Sequence, residues 1–263
     1  MISARLNGGL GNQMFQIATA YVLALNNNDT CAFDFNVFPM GQGNGAASYR
    51  NSIYKKLNDI PYMRHISNLY KETDYCYKPI PYSKDMLLIG SFSGEKYIGN
   101  RRREILDLFL DRDIVSNLKK GFGAILNNSV SLHVRRGDYL DIPDVYLQLD
   151  RSYYNKALRI IKSKTQVDNV LVFSDDIKWC KENLNIPNVY YSECMLDYGD
   201  MYLMSLCSHN IMANSSFSWW GSYLNRNPRK IVVAPEKWFV TEGVSLGRPN
   251  DAEHLFCTNW IKI

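Results

Sequence analysis

The sequence lacks several features that would place it in familiar protein classes. No run approaches the roughly 18 apolar residues that a membrane-spanning helix needs, and Arg5 and Asn7 interrupt the first apolar residues, so no signal peptide is predicted. The six cysteines are scattered, without a Cys-x-x-Cys pair or metal-ligand spacing. These absences predict a cytoplasmic protein that associates with a membrane at most peripherally, at its inner face.

The sequence also has no large excess of positive or negative charge. The formal net charge is +4, and the one basic block, Arg101–Arg103, is too short to predict nucleic-acid binding. The sequence contains no Walker A lysine, no G-x-G-x-x-G fingerprint, no H-E-x-x-H motif and no nucleophile elbow. P-loop hydrolases, zinc proteases and serine hydrolases are therefore disfavoured, and no metal site is predicted.

What is present is an alternation of apolar strands with helical patterns. In the first half, strands are predicted at residues 1–6, 31–35 and 87–90, and helices at 14–25 and 102–110. In the second half, strands are predicted at 129–134, 169–173, 189–191, 210–213 and 230–234, and helices at 151–162, 177–184, 198–208 and 218–224. This alternation predicts an α/β fold with parallel sheets. We expect two Rossmann-like domains, 1–120 and 121–263, facing a central cleft, with the boundary near 112–128.

The most informative segment is His133–Tyr139, which lies at the end of a predicted strand. Two adjacent guanidiniums, Arg135 and Arg136, suit a phosphate ligand there, because a planar fork of N–H donors matches phosphate oxygens and parallel strands bind ligands at their carboxyl ends. The alternative is that both arginines are surface residues paired with Asp138 and Asp141. The segment therefore predicts either an anion site or a surface ion-pair cluster.

A glycine-rich loop lies between the first predicted strand and helix. Gly8, Gly9 and Gly11 leave the backbone bare enough to approach a ligand, and the helix N-terminus offers unpaired N–H groups. Asn12 and Gln13 add side chains that can donate hydrogen bonds, which favours a ligand-binding loop. The alternative is a tight turn in which glycine satisfies a positive φ angle.

A third segment places two carboxylates after a buried strand. The apolar run 170–173 is followed by Ser174, Asp175 and Asp176. Paired acids at this edge could bind a metal, act as a base, or accept hydrogen bonds from guanine and ribose. The alternative is that Ser174 or Asp175 caps the next helix, and capping by one does not exclude binding by another.

A fourth segment begins at Asn214, after another predicted strand. The hydroxyls of Ser215 and Ser216 lie where the N-terminus of the next helix favours an anion. Trp219 and Trp220 follow, and we expect them to pack in the core rather than contact a ligand. Because all four segments fall at predicted strand ends, they predict one nucleotide-diphosphate site.

Together these segments resemble glycosyltransferase family 11, the bacterial and animal α-1,2-fucosyltransferases. The order and spacing match, as do Lys237–Phe239 and Trp260–Ile263. The matching segments are Asn7–Gln16, His133–Tyr139, Phe173–Asp176 and Asn214–Gly221. The region Phe38–Ser83, including the flexible stretch Gly41–Gly45, carries no family motif, and Ser91–Tyr97 matches only in part. The resemblance therefore does not identify the particular glycan that accepts the sugar.

The resemblance implies a GT-B-like fold, GDP-β-L-fucose as donor, inversion at the anomeric carbon, and no metal or other cofactor. The implied acceptor is the 2-hydroxyl of a galactoside, in an oligosaccharide or lipid-linked glycan of a surface polysaccharide. Arg135 is implied to hold the pyrophosphate, with Arg136 supporting it or the loop. His133 and one or both of Asp175 and Asp176 are implied to bind guanine and ribose.

The remaining implied contacts come from both domains. Ser215, Ser216 and Phe217 are expected to close around the phosphates and base, while the loop Gly8–Gln13 faces the donor from the N-terminal, acceptor-side domain. The C-terminal domain is expected to bind GDP-fucose.

The predicted catalytic residues are Arg135 and Asp138. The acceptor hydroxyl must lose a proton, for which Asp138, Asp34 and Glu95 are candidates and a leaving phosphate oxygen is an alternative. Asp138 could instead orient Arg135, which we favour. Other functions stay open: transfer from another nucleotide sugar, carbohydrate binding without catalysis, and nucleotide-dependent redox chemistry.

Overall fold

The computed structural model describes residues 1–36, 43–59, 66–74, 76–193, 196–240 and 253–263. Part of the predicted flexible stretch Gly41–Gly45 lies outside them. The chain divides into two compact units, Met1–Asp111 with Glu253–Cys257 and Arg112–Ala252 with Thr258–Ile263. The predicted division after residue 120 falls inside a helix, Arg112–Leu126, that lies wholly in the second unit.

The first unit contains a small parallel sheet. Its strands and helices are β1 (Ile2–Ala4), α1 (Leu10–Asn26), β2 (Asn68–Lys71), β3 (Met86–Ile89) and α2 (Arg102–Leu108). The strand order is β1-β3-β2, with both pairings parallel. The helix α1 begins four residues before the predicted start, because Gly9 already serves as its extended N-cap and the polar residues after it lie in the first turns.

The strand predicted at Cys31–Phe35 is wrong. Among the residues that the structure describes, this segment forms isolated bridges alone, such as that between Phe33 and Asp59. Aromatic packing holds it instead, because Phe33 and Phe35 are buried and Phe35 stacks on Tyr54 with ring centroids 5.8 Å apart. Apolar side chains at this position therefore serve the core without a hydrogen-bonded ladder.

The second unit contains a larger parallel sheet. Its elements are α3 (Arg112–Leu126), β4 (Ser129–Val134), α4 (Arg151–Lys162), β5 (Asn169–Ser174), α5 (Ile177–Asn183), β6 (Val189–Tyr191), α6 (Asp197–Leu206), β7 (His209–Ile211), α7 (Ser216–Leu224), β8 (Val232–Ala234) and β9 (Ile261–Lys262). The strand order is β6-β5-β4-β7-β8-β9, and each pairing is parallel. Counted from β4, this is the doubly wound order 3-2-1-4-5-6. The predicted α/β fold with parallel sheets is confirmed.

The core of the second unit explains why its central strands are rich in apolar residues. All six residues of β4 are buried, and α4 covers the sheet with Tyr154, Ala157 and Ile161. Trp219 and Trp220 on α7 are fully buried, so the prediction that they pack in the core is confirmed. Among the described residues, no helix is long and apolar enough to cross a membrane.

Candidate donor-binding site

The second sheet reverses its direction of winding beside β4. From β4 the chain moves outward to β5 and β6, then returns to the opposite side of β4 for β7. In open α/β sheets, ligands bind at the carboxyl ends of the strands at such a switch point. The loops after β4 and β7 are therefore the expected binding loops, and they carry Arg135, Arg136 and Ser215.

Arg135 follows β4 directly and is held by two carboxylates. One of its terminal nitrogens, Nη2, donates to Asp138, and the other, Nη1, lies 2.9 Å from Asp175 Oδ2. The guanidinium carbon is 5.4 Å from the ring centroid of Tyr139. Because a guanidinium has five N–H groups and about a quarter of this side chain is exposed, donors are available to an anion from solvent. Arg135 is an oriented, partly exposed cation.

Arg136 has a different environment. Its Nε donates to Asp176 Oδ2 at 3.1 Å, and its guanidinium carbon lies 4.3 Å above the ring of Trp179 on α5. Its backbone N–H donates to Asp175 Oδ1 at 2.9 Å. These contacts fasten the loop after β4 to the start of α5, which fits the supporting role implied for Arg136.

The carboxylate of Asp175 joins the two arginines. It contacts the side chain of Arg135 and the backbone of Arg136, and a Cβ added to Gly137 would lie only 2.7 Å from Asp175 Oδ2. A glycine at position 137 therefore lets the carboxylate reach the loop backbone. The sequence left open that the two arginines pair with Asp138 and Asp141. Arg135 does pair with Asp138, but Arg136 pairs with Asp176 rather than Asp141.

The prediction that Ser174 or Asp175 caps the following helix is wrong. Asp176 is the cap of α5, and its Oδ1 accepts the backbone N–H of Trp179 at 3.0 Å. Ser174 is the last residue of β5, and its hydroxyl accepts the N–H of Asp176 at 2.9 Å. Because β5 extends to Ser174, one residue beyond its predicted end, the helix cap is Asp176 rather than Ser174 or Asp175.

His133 lies inside β4, one residue before its end. Burial, with the charge of Arg135 in addition, lowers the pKa of His133 to about 3, so its imidazole is neutral near pH 7. Its ring lies 5.5 Å from that of Phe217. Within the part of the chain that the structure describes, its Nδ1 has no hydrogen-bond partner. A neutral ring nitrogen of this kind can bond a nucleobase, and that contact stays a prediction.

The loop after β7 leads into the N-terminus of α7. Ser215 is the N-cap, and its hydroxyl accepts the N–H of Phe217 at 3.3 Å. Ser215 is buried, whereas Ser216 and Phe217 are half-buried. Asn214 anchors the loop, because its side chain donates to the carbonyls of Leu147 and Trp238 at 2.9 and 2.8 Å.

Three residues at this edge were not predicted to have roles. The hydroxyl of Tyr139 donates to the Asn214 carbonyl at 2.9 Å and so joins the loops after β4 and β7. Asp200 on α6 accepts a hydrogen bond from Ser192, which follows β6, and burial raises the pKa of Asp200 to about 6. An acid within the apolar pattern of α6 was the signal that could have identified Asp200.

In the first unit, the glycine loop leads directly into the N-terminus of α1. Gly8 has a φ of +75°, so the tight-turn alternative is right for this glycine, while Gly9 caps α1 with a φ of −71°. Gln13 is buried, and its amide donates to the carbonyls of Gly8 and Asn44 at 2.8 and 3.0 Å. Gln13 therefore supports the loop, and donor contacts from Gly11 and Asn12 stay a prediction.

The structure joins the second-unit residues into one cluster. At the carboxyl ends of β4 and β5, Arg135 pairs with Asp138 and Asp175 and Arg136 pairs with Asp176, and the hydrogen bond from the Arg136 backbone N–H to Asp175 joins the two groups. This cluster offers oriented N–H donors to an anion but contains more carboxylates than guanidiniums. Carboxylates that already accept from arginine position those cations better than they act as bases.

One family model and three curated proteins are similar to this chain over most of its length. The family model "Glycosyl transferase family 11" matches residues 1–263. The O-antigen biosynthesis glycosyltransferase WbnK of Escherichia coli is 32% identical over 98% of this chain and 99% of its own length. An alpha-1,2-colitosyltransferase of Escherichia coli is 30% identical over 92% and 93%. Galactoside alpha-(1,2)-fucosyltransferase 2 of Oryctolagus cuniculus is 28% identical over 91% and 75%.

Solved structures are similar at the level of the fold. NodZ alpha-1,6-fucosyltransferase from Bradyrhizobium, in crystals soaked with GDP-fucose, superposes with a TM-score of 0.51 at 14% identity, over 88% of this chain and 94% of that one. Such a distant likeness shows a shared GT-B-like fold, as predicted. With the family model covering the whole sequence, this chain belongs to glycosyltransferase family 11.

Proposed function

We propose that this chain transfers L-fucose from GDP-β-L-fucose to the 2-hydroxyl of a galactoside. The observation that carries the proposal is the position of Arg135 after β4, where Asp138 and Asp175 orient its guanidinium at the switch point of the sheet. The names of the relatives support α-1,2 transfer of a fucosyl or colitosyl group. Family membership argues against the oxidoreductase and non-catalytic alternatives.

The reaction places its largest charge change on the leaving group. The acceptor oxygen attacks C1 of fucose from the face opposite the diphosphate, the C1–O bond to phosphate breaks, and the configuration inverts from β to α. The electron pair of the broken bond goes to the β-phosphate. Arg135 neutralises this charge as it forms, which stabilises the transition state more than the ground state. A metal ion is not required for this step.

Other residues assist this step indirectly. Asp138 and Asp175 orient Arg135, and Asp176 orients Arg136. The neutral imidazole of His133 and the ring of Phe217 bind the guanosine, and Ser215 and Ser216 bind the phosphates at the N-terminus of α7. The proton of the acceptor hydroxyl goes to Glu95, to Asp34, or to an oxygen of the departing phosphate.

A second candidate differs only in the donor sugar. An alpha-1,2-colitosyltransferase is among the relatives at 30% identity, so a colitosyl nucleotide is the alternative donor. In both cases we place the reaction in surface-polysaccharide synthesis, at the cytoplasmic side of the membrane. The relative named for O-antigen biosynthesis supports the assignment to surface-polysaccharide synthesis.

Transfer assays with a chelator present test this function. The purified protein is incubated with GDP-fucose and a panel of galactosides in EDTA, and the products are analysed for linkage and anomeric configuration. We expect an α-linked fucose on O2 of galactose and a rate within roughly twofold of that without chelator, since arginine supplies the positive charge. GDP-mannose and a colitosyl nucleotide serve as comparison donors.

Three results would contradict the proposal. Fucose on another oxygen would refute the regiochemistry. A transfer rate that EDTA abolishes and Mg²⁺ restores would refute the claim that Arg135 neutralises the leaving phosphate without a metal ion. Faster transfer from the colitosyl nucleotide would replace fucose with colitose as the natural donor sugar.

A further inference from the structure

A half-buried carboxylate in the first unit, that of Glu72, holds a loop at the carboxyl edge of the sheet. Glu72 follows β2, and its Oε2 accepts the backbone N–H groups of Ser91 and Phe92 at 2.7 and 3.1 Å. Its Oε1 accepts the hydroxyl of Tyr97 at 3.1 Å. Burial raises the pKa of the Glu72 carboxyl, so folding dehydrates a charge that these hydrogen bonds compensate only in part.

The loop that Glu72 holds has an unusual backbone. Phe92 is fully buried yet has a φ of +48°, and Gly94 has a φ of +116° with the carbonyl oxygen of His254 only 2.3 Å from where a Cβ would lie. A Cβ on Gly90 would lie 2.5 Å from the Cβ of Glu72. Strained conformations of this kind persist only where the surroundings determine them, and they concentrate at functional sites.

A buried side chain, that of Gln16, ties this loop to the glycine loop. The amide of Gln16 on α1 donates to the carbonyls of Gly90 and Asn7 at 3.1 and 3.3 Å, and its oxygen accepts the N–H of Asn7 at 2.9 Å. The strands β1 and β3 are neighbours, so the two loops share the carboxyl edge of the sheet. This is the edge at which α/β sheets bind ligands.

The groups along the loop suit a neutral, hydroxylated ligand. Ser91, Ser93 and Glu95 are half-buried and offer hydroxyl and carboxylate oxygens. The half-buried ring of Tyr77 packs against Tyr97 at 5.0 Å and can cover part of a sugar ring. Sugar hydroxyls can donate to the carboxylate of Glu95, which disfavours a diphosphate, and the ammonium of Lys96 lies 5.9 Å from the centre of the Tyr77 ring.

We infer that the loop Ser91–Glu95 binds the acceptor galactoside and that Glu72 is the positioning residue that fixes its conformation. The inference rests on the proposed function and adds to it the part of the chain that recognises the acceptor. Glu72 does not touch the sugar; it acts through the backbone N–H groups of Ser91 and Phe92.

Two substitutions separate positioning from charge. Glu72→Ala removes all three hydrogen bonds, and we expect the acceptor KM to rise about tenfold or more, while the donor KM and the hydrolysis of GDP-fucose without acceptor stay within roughly twofold. Glu72→Gln keeps an oxygen for both backbone N–H groups and an amide that can donate to Tyr97, so its acceptor KM should stay within about threefold of wild type. Glu104→Ala, at an exposed carboxylate on α2, is the control.

The outcomes are decisive in both directions. A folded Glu72→Ala protein with a wild-type acceptor KM, or with equal losses in transfer and in donor hydrolysis, overturns the inference. If Glu72→Ala does not fold, the double variant Ser91→Ala/Ser93→Ala, which removes the two loop hydroxyls offered to the sugar, replaces it, and an unchanged acceptor KM there also overturns the inference. Failure of the proposed function can be distinguished from failure of this inference, because the wild-type protein itself would then fucosylate no galactoside.

Discussion

Replacing Arg135 with alanine should lower kcat by about 10²–10³, the usual loss when a group that stabilises transition-state charge is removed. The guanidinium is oriented by Asp138 and Asp175 before any ligand arrives, so its contribution requires little reorganisation during the reaction. Because the diphosphate gains charge as the sugar departs, the loss should fall mainly on kcat rather than on the donor KM. Initial rates at saturating donor and acceptor measure it.

Two controls keep this prediction specific. Arg135→Lys retains the charge but not the planar fork, so we expect partial activity. Arg159→Ala removes an exposed arginine of α4 and should leave kcat unchanged. The Arg135→Ala protein should stay folded, because partly exposed ion pairs stabilise a protein by only about 0–1 kcal/mol. Normal kcat in folded Arg135→Ala protein would refute the assignment of Arg135.

Trp219→Ala should lower the free energy of unfolding by about 3–5 kcal/mol. Trp219 is fully buried, stacks on Tyr223 with ring centroids 4.6 Å apart, and lies 5.0 and 5.5 Å from the rings of Trp220 and Trp260. Removing the indole leaves a cavity that these large rings cannot fill. Urea unfolding followed by circular dichroism measures the change.

The matched control for Trp219 is an exposed aromatic residue. Tyr190 on β6 is 45% exposed, so Tyr190→Ala should change the free energy of unfolding by less than about 0.5 kcal/mol. If Trp219→Ala kept its stability but lost binding of GDP, the tryptophan would be a ligand contact. The burial of Trp219 in the core argues against such a ligand contact.

Five of the six strands of the second unit, β4 to β8, could be predicted from their apolar residues, and the central ones are buried on both faces. Such strands are continuous apolar runs, and β4 and β6 have the predicted bounds, while β5, β7 and β8 differ by one or two residues at their ends. In the first unit, β2 was missed because Asn68–Lys71 is largely exposed and lacks an apolar run. The helix α3 was also missed, since Gly121 and Gly123 weaken its pattern.

The proximity of the charged residues beyond β4 and β5 could be predicted from the sequence, whereas their pairings could not. Strand ends predicted that Arg135 and Asp175 lie at one edge, and the register of β4 with β5, which places Val134 opposite Ser174, brings them together. Which carboxylate accepts from which arginine goes with the ring that each guanidinium packs against, Tyr139 for Arg135 and Trp179 for Arg136, and the sequence did not reveal these contacts. The inward turn of Gln13 depends on Tyr54, far along the chain, so local sequence gave no sign of it.

A crystal structure of the protein soaked with GDP tests the central claim most directly. We predict a β-phosphate oxygen within hydrogen-bond distance of the Arg135 guanidinium, with the diphosphate beside the N-terminus of α7 and the Asp138 and Asp175 contacts to Arg135 retained. A diphosphate bound away from both Arg135 and Arg136 would contradict the account.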